Sequence, residues 1–238
     1  MDINQLKELL SEFGKNVSFE HDLKKKNWFN IGGKSKVFYK SKNLRELVNF
    51  LKKLQNSEKI FILGAGSNTL ISDNLFDGVV IKLDKNFNNI SLLKEDIIIA
   101  GSAVLDKSLS DFALNNSISG FEFLSCIPGT VGGGIRMNAG CFDKEFKDIL
   151  LSVQAIGKSG NIITIPSKDI KFEYRESDLS DDLIFLSASF KGVKSNKIKI
   201  KDKRNKLKIE KETNQPSKIK TSGSTFKNPK SQSKKKVW

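Results

Sequence analysis

Between positions 127 and 140 the chain reads IPGTVGGGIRMNAG, which puts Gly129, Gly132, Gly133, Gly134 and Gly140 within a short span. Glycine loses more conformational freedom on folding than any other residue, so such density is unfavourable to order. It is expected where backbone lies against a flat or phosphorylated ligand, or where strands and turns crowd together. A shorter run, Gly64-Ala65-Gly66-Ser67-Asn68, directly follows the apolar stretch 59–63. Consecutive N–H groups in such a turn can form an anion-binding nest. A Rossmann-type site would need a helix and a third glycine immediately afterwards. Thr69-Leu70-Ile71 reads as strand instead, so a phosphate cradle here implies another fold. A plain tight turn is the alternative.

Apolar spacing outlines the remaining elements. Ile3, Leu6, Leu9, Leu10, Phe13 and Val17 recur at helical spacing, and a polar stretch carrying His21 follows. A strand is predicted over 37–39, then a helix over 43–55 that Asn43 can cap. Further strands are predicted over 59–63, 69–71, 79–83, 97–100, 151–156, 162–165 and 183–190. Helices are predicted over 105–114 and 197–211, with a helical turn at Ser167. Strands outnumber helices without alternating with them, which points to an α+β fold.

No apolar run approaches the ~20 residues that cross a bilayer, and the N-terminus lacks the pattern of a signal peptide, so a cytoplasmic protein is expected. Cys126 and Cys141 are too few for a disulfide framework or a zinc site and read as apolar wall residues. His21 is the only histidine, which argues against a histidine triad or metal site, and it reads as solvated. The net charge of +14 lies wholly in residues 191–238, with 17 lysines and arginines against 3 acids. Only Phe226 and Trp238 there could stack on bases, so a solvated lysine-rich face is expected and a nucleic-acid partner is not.

Read in order, NWFNIGG, LGAGSNTLISD, GFEFLSCIPGTVGGGIRMNAG, FEYRES and QPSKIKTSGSTFKNP resemble the UDP-N-acetylenolpyruvoylglucosamine reductase (MurB) family across 27–229. GAGSN alone is shared by many flavoproteins of this type; the later motifs are specific. The resemblance implies a two-part FAD-binding region of the MurB/vanillyl-alcohol-oxidase type, followed by an α+β substrate domain. The expected divisions are 1–82, 83–194 and 195–238. Non-covalent FAD is implied, held by Gly64, Ala65, Gly66, Ser67 and Asn68 and by Pro128, Gly129, Thr130, Gly132, Gly133, Asn138 and Ala139.

The same resemblance implies NADPH as hydride donor and a UDP-sugar enolpyruvyl ether as substrate, reduced to UDP-N-acetylmuramate for peptidoglycan synthesis. Arg175, from YRxS, would stabilise the substrate carboxylate as charge builds on it, a role suited to a bidentate guanidinium. Ser224, from GSxFKNP, would donate the proton. Tyr174, Lys227 and Asn228 would bind substrate. A monomer is expected. The short span after Arg175 resembles the compact subgroup without a substrate-covering insertion. Family members continue past FKNP to a further glutamate, so a shortened substrate domain, weakened activity and poor order over 197–238 are expected. Two other readings stand beside this one: another FAD oxidoreductase of the same fold, and an inactive remnant whose basic tail binds a polyanion.

Overall fold

The structure is a computed structural model that describes residues 1–55 and 57–214. Helix α1 (Ile3–Leu9) is capped by Asp2, whose carboxylate accepts from the N–H groups of Asn4 and Gln5. The predicted first helix does not run on to Val17. It gives way to 3-10 turns over Ser11–Asn16, where Gly14 sits at φ 51°, and Val17 opens strand β1 (Val17–Asp22). The stretch read from sequence only as polar is therefore an edge strand, half covered, which is why its alternation is weak. After β2 (Lys34–Ser41), helix α2 (Leu44–Leu54) returns the chain to β3 (Ile60–Ile62), and β4 (Phe76–Leu83) inserts between β2 and β3. β2, β4 and β3 are parallel, and β1 runs antiparallel to β2. Parallel neighbours need a crossover connection, and α2 supplies one. Its start is fixed by Asn43, whose side-chain oxygen accepts from the Glu46 N–H at 2.9 Å. Its inner face is Leu47, Phe50, Leu51 and Leu54, with Phe50 stacked on Tyr39 of β2.

The strand predicted over 69–71 does not form. Leu70 is 72% exposed, and the Gly33 N–H bonds to the Ser72 carbonyl, so the segment is tied to a turn instead of a ladder.

The second sheet begins with β5 (Ile90–Lys94) and β6 (Ile97–Gly101). β5 was not anticipated, because Leu92 and Leu93 both lie exposed on this edge strand and give no alternation. Then come α3 (Asp106–Asn115), β7 (Ile118–Ser119), the 3-10 turn Glu122–Cys126 and α4 (Val131–Arg136). The glycine-rich segment thus contains a short helix. Strands β8 (Gly140–Cys141) and β9 (Lys144–Glu145) form a hairpin whose turn residues Phe142 and Asp143 both have positive φ, as a type I′ turn requires. The chain continues through β10 (Leu150–Ile156), β11 (Ile162–Pro166), β12 (Phe172–Glu173), β13 (Glu176–Ser177), β14 (Ile184–Lys191) and β15 (Val193–Lys194) to α5 (Lys197–Asn214). Strand order is β11-β10-β14-β6-β5, all antiparallel.

The fold is α+β, as expected. Ile156, Ile184 and Leu186 of the second sheet lie in one buried cluster with Tyr39 and Ile81 of the first and with Leu6 of α1 and Phe50 of α2, so the sheets share a core. α5 is docked, contrary to the poor order expected for this stretch. Ile200 is buried, Lys203 Nζ lies 3.3 Å from Glu122, and Arg204 Nη2 lies 2.5 Å from Asp111. Burial pushes the Glu122 carboxyl up, but donors from Ser119 and Gly120 and the Lys203 charge together hold it below its ordinary value.

Candidate active site

The two glycine runs meet. Ser67 Oγ donates to the Pro128 carbonyl, and a Cβ added at Gly64 would stand 2.7 Å from Thr130 Oγ1. Gly66 adopts φ 69° with the Lys26 carbonyl against its Cα, so a side chain there is excluded on both counts. The glycines are thus required first by protein packing. Once packed, the loops leave donors over. Among the described residues, the N–H groups over 64–68 and those of Gly129, Thr130 and Gly133 have no acceptor. Gly133, Pro128 and Asn68 are exposed around them, whereas Ser67 and Thr130 are buried. Such a set of free backbone donors suits an anion such as a pyrophosphate.

Basic side chains surround the first loop. Lys82 Nζ donates to the Gly64 carbonyl at 2.8 Å. Burial, then the charges of Lys26 and Lys40, hold the Lys82 ammonium below its ordinary pKa. A pocket of ≈ 400 Å³ beside Ala65 is lined by Lys25, Lys26, Lys40 and Lys82 with Asn27, Asn30 and Trp28. Nothing in the motif spelling flagged these lysines, because they come from β2, β4 and the turn before Asn27.

At the far end of the glycine-rich segment lies a second cluster. Asn138 is fully buried at φ 38°, and its amide donates to Glu145 Oε2 and to the Glu173 carbonyl, both at 3.0 Å. Its side-chain oxygen accepts from the Lys147 N–H at 3.1 Å. Both polar atoms of its side chain are engaged within the protein, so it braces the β12–β13 hairpin against β9. Ala139 is tied in through its backbone to Gly134 and Phe146. Arg175 and Tyr174 form the tip of that hairpin. Arg175 has φ 61°, an uncommon conformation for a residue with a side chain, and donates from Nη2 to the Gly140 carbonyl at 2.7 Å. Its guanidinium lies 4.8 Å from the Tyr174 ring and 3.8 Å, through Nη1, from Glu145. The pairing with Glu173 or Glu176 that a surface arginine would make is replaced by Glu145. Arg136 clasps the carbonyls of Leu179, Ser180 and Leu183 and holds the following loop. Neither Glu145 nor Arg136 was singled out from sequence, since an isolated charge carries no signal of its partner.

Ser224, Lys227 and Asn228 lie outside the described residues. His21, expected to be solvated, sits in β1 stacked on Phe38 at 4.3 Å with Nε2 buried. Burial, then Lys26, lowers its pKa.

Residues 36–166 match the family model described as FAD binding domain. The chain is 62% identical over 238 residues to the UDP-N-acetylenolpyruvoylglucosamine reductase of Pelagibacter ubique (strain HTCC1062), covering all of this chain and 79% of that protein. The protein of the same name from Rickettsia typhi (strain ATCC VR-144 / Wilmington) is 45% identical over 212 residues, 88% of this chain and 71% of that one. This chain belongs to the UDP-N-acetylenolpyruvoylglucosamine reductase family. The crystal structure of the family member from Thermus caldophilus superimposes with a TM-score of 0.77 at 27% identity, over 90% of this chain and 74% of that one. For a reductase of this family the geometry is coherent: the free N–H groups of the two meeting loops fit the pyrophosphate of FAD. The exposed backbone at Gly133 offers a face without a side chain. No helix among the described residues is long and apolar enough to cross a membrane.

Proposed function

We propose that this chain catalyses the NADPH-dependent, FAD-mediated reduction of the enolpyruvyl ether of UDP-N-acetylglucosamine to UDP-N-acetylmuramate. The observation that carries this is the meeting of the 64–68 and 128–133 loops with their N–H groups left free. When bound, FAD supplies the two-electron chemistry by which hydride from NADPH reaches the enol ether. The N–H groups of the two loops hold its phosphates, and Lys82 fixes the first loop through Gly64.

Arg175, anchored on Gly140 and flanked by Tyr174, offers the cation that the substrate carboxylate needs as negative charge builds on it. Glu145 opposite keeps the guanidinium oriented until a substrate carboxylate competes for it. Asn138 acts through the hairpin it braces, and Ser224 is assigned proton donation on its motif. On this reading 1–82 and 83–194 are the halves of the cofactor region, and 195–238 opens the substrate domain. A single chain supplies both loops and Arg175, so a monomer suffices. The cytoplasm is the compartment that holds both nucleotide substrates.

The test is anaerobic. Purified protein is titrated with FAD, reduced with NADPH, and then given the enolpyruvyl sugar nucleotide. Bleaching by NADPH followed by return of the yellow form on substrate addition is expected. Failure to bind FAD, or a reduced form indifferent to the sugar nucleotide, would overturn the assignment.

A further inference from the structure

Three side chains converge on the carboxylate of Glu145, the residue that closes β9. Asn138, fully buried, donates its amide to Oε2 at 3.0 Å, and Lys147 Nζ lies 2.8 Å from the same oxygen. Oε1 faces Arg175, whose Nη1 is 3.8 Å away. The other arm of that guanidinium is fixed close by. Nη2 donates at 2.7 Å to the carbonyl of Gly140, and Gly140 is the cross-strand partner of Glu145 in the β8–β9 hairpin. The two strands pack closely, since a Cβ at Gly140 would stand 2.8 Å from Glu145 Cγ. One cross-strand pair therefore holds both arms of Arg175, one through a neutral carbonyl and the other through a charge. We propose that Glu145 is a positioning and specificity-determining residue of the substrate site, a counter-charge that aims Arg175 and yields it to a ligand carboxylate. The proposal rests on the reading of Arg175 as the cation for that carboxylate.

The two holds on Arg175 differ in how easily they exchange. At 3.8 Å the Glu145 contact is an ion pair, longer than the about 2.7–2.9 Å of a charge-assisted hydrogen bond, whereas the Gly140 contact is a full hydrogen bond. An incoming carboxylate can therefore take the Nη1 arm while Gly140 keeps the Nη2 arm in place. Glu145 is not stranded when this happens, because Asn138 and Lys147 remain its partners. A buried charge left without partners would make the exchange costly. Until a ligand arrives, Glu145 offsets part of the Arg175 charge and so reduces the attraction of other anions. Glu145→Gln keeps an acceptor for Asn138 and the shape of the side chain, and removes only the charge. Two effects follow. A ligand carboxylate loses its competitor and binds more tightly, while a guanidinium held by one arm is less well placed when charge builds, so turnover falls.

The test uses the full chain loaded with FAD and calorimetry with two ligands: UDP-N-acetylmuramate, which carries a carboxylate on its sugar, and UDP-N-acetylglucosamine, which does not. Glu145→Gln should tighten binding of the first by about 2- to 5-fold, the worth of a partly exposed ion pair, and leave the second unchanged. The same variant should be reoxidised by the enolpyruvyl sugar nucleotide about 10-fold more slowly after reduction by NADPH. Glu145→Asp, which keeps the charge, should lie closer to the parent in both measurements. A merely structural role would weaken the two ligands together. That result, an unaltered ratio of the two affinities in Glu145→Gln, or loss of FAD from that variant would overturn the proposal. Arg175→Ala separates this failure from failure of the underlying reading. If the parent prefers the carboxylate ligand and Arg175→Ala loses that preference, the reading of Arg175 stands whatever Glu145→Gln shows; if the preference is absent from the parent or survives in Arg175→Ala, both fall.

Discussion

Lys82, on β4, donates from Nζ to the carbonyl oxygen of Gly64, the first residue of the loop whose N–H groups are free. The bond fixes the loop's direction and places a charge behind it. A hydrogen bond to a charged group contributes about 1.5–3 kcal/mol. Lys82→Met should therefore weaken FAD binding by about 10- to 100-fold, read by fluorescence titration, while Lys82→Arg should retain part of the affinity. An unchanged dissociation constant in Lys82→Met would show that the loop needs no such support.

Arg175 should matter for turnover and not for cofactor retention. Replacing it with Ala removes a cation aimed at developing charge, an effect of roughly 100- to 1,000-fold in kcat by analogy with other preorganised donors. FAD affinity should change little. Loss of FAD in the variant would instead make Arg175 a structural support of the Gly140 backbone.

Gly133 and Gly134 are adjacent yet should respond oppositely to alanine. A Cβ at Gly134 would lie 2.2 Å from the buried Phe146 ring, so Gly134→Ala should lose about 1–3 kcal/mol in denaturant unfolding. At Gly133 the nearest atom would be Thr130 Oγ1 at 3.6 Å, in a helix and on an exposed face. Gly133→Ala should leave stability unchanged or raise it by up to about 1 kcal/mol, yet weaken FAD binding by crowding the open backbone face. Equal FAD affinity in Gly133→Ala and the parent would place the cofactor elsewhere.

Asp106 gives a pH signature. It opens α3 with both carboxylate oxygens buried and without a hydrogen-bond partner among the described residues. Burial pushes its pKa up to about 8. Between the ordinary carboxylate range and about 8, the folded chain holds a proton that the unfolded chain has released. Stability from this group therefore falls as pH rises through that window and is level above it. Asp106→Asn should remove that decline, seen as a smaller loss of urea midpoint between about pH 5 and about pH 9. Identical slopes in variant and parent would show that Asp106 does not titrate in this range.

Several elements were legible from local sequence because their physics is local. Helix α2 follows from its apolar spacing and from Asn43, whose cap is present. Edge strands were not: β1 and β5 are half covered or exposed, so alternation is faint, while Thr69-Leu70-Ile71 has strand-forming residues but no neighbour to pair with. The lysine-rich α5 was legible as a helix but not as a docked one, because its partners Glu122 and Asp111 lie about 80 to 90 positions earlier.

Residue order alone determined the inventory of the site: two glycine runs able to expose backbone donors, and an arginine in a motif shared with a family of reductases. Tertiary structure decided what those parts touch. Ser67 reaches Pro128, Lys82 supports Gly64, and Arg175 rests on Gly140 instead of an adjacent glutamate. These contacts arise because the two sheets share one buried core, and burial between distant segments leaves no periodic trace in either of them.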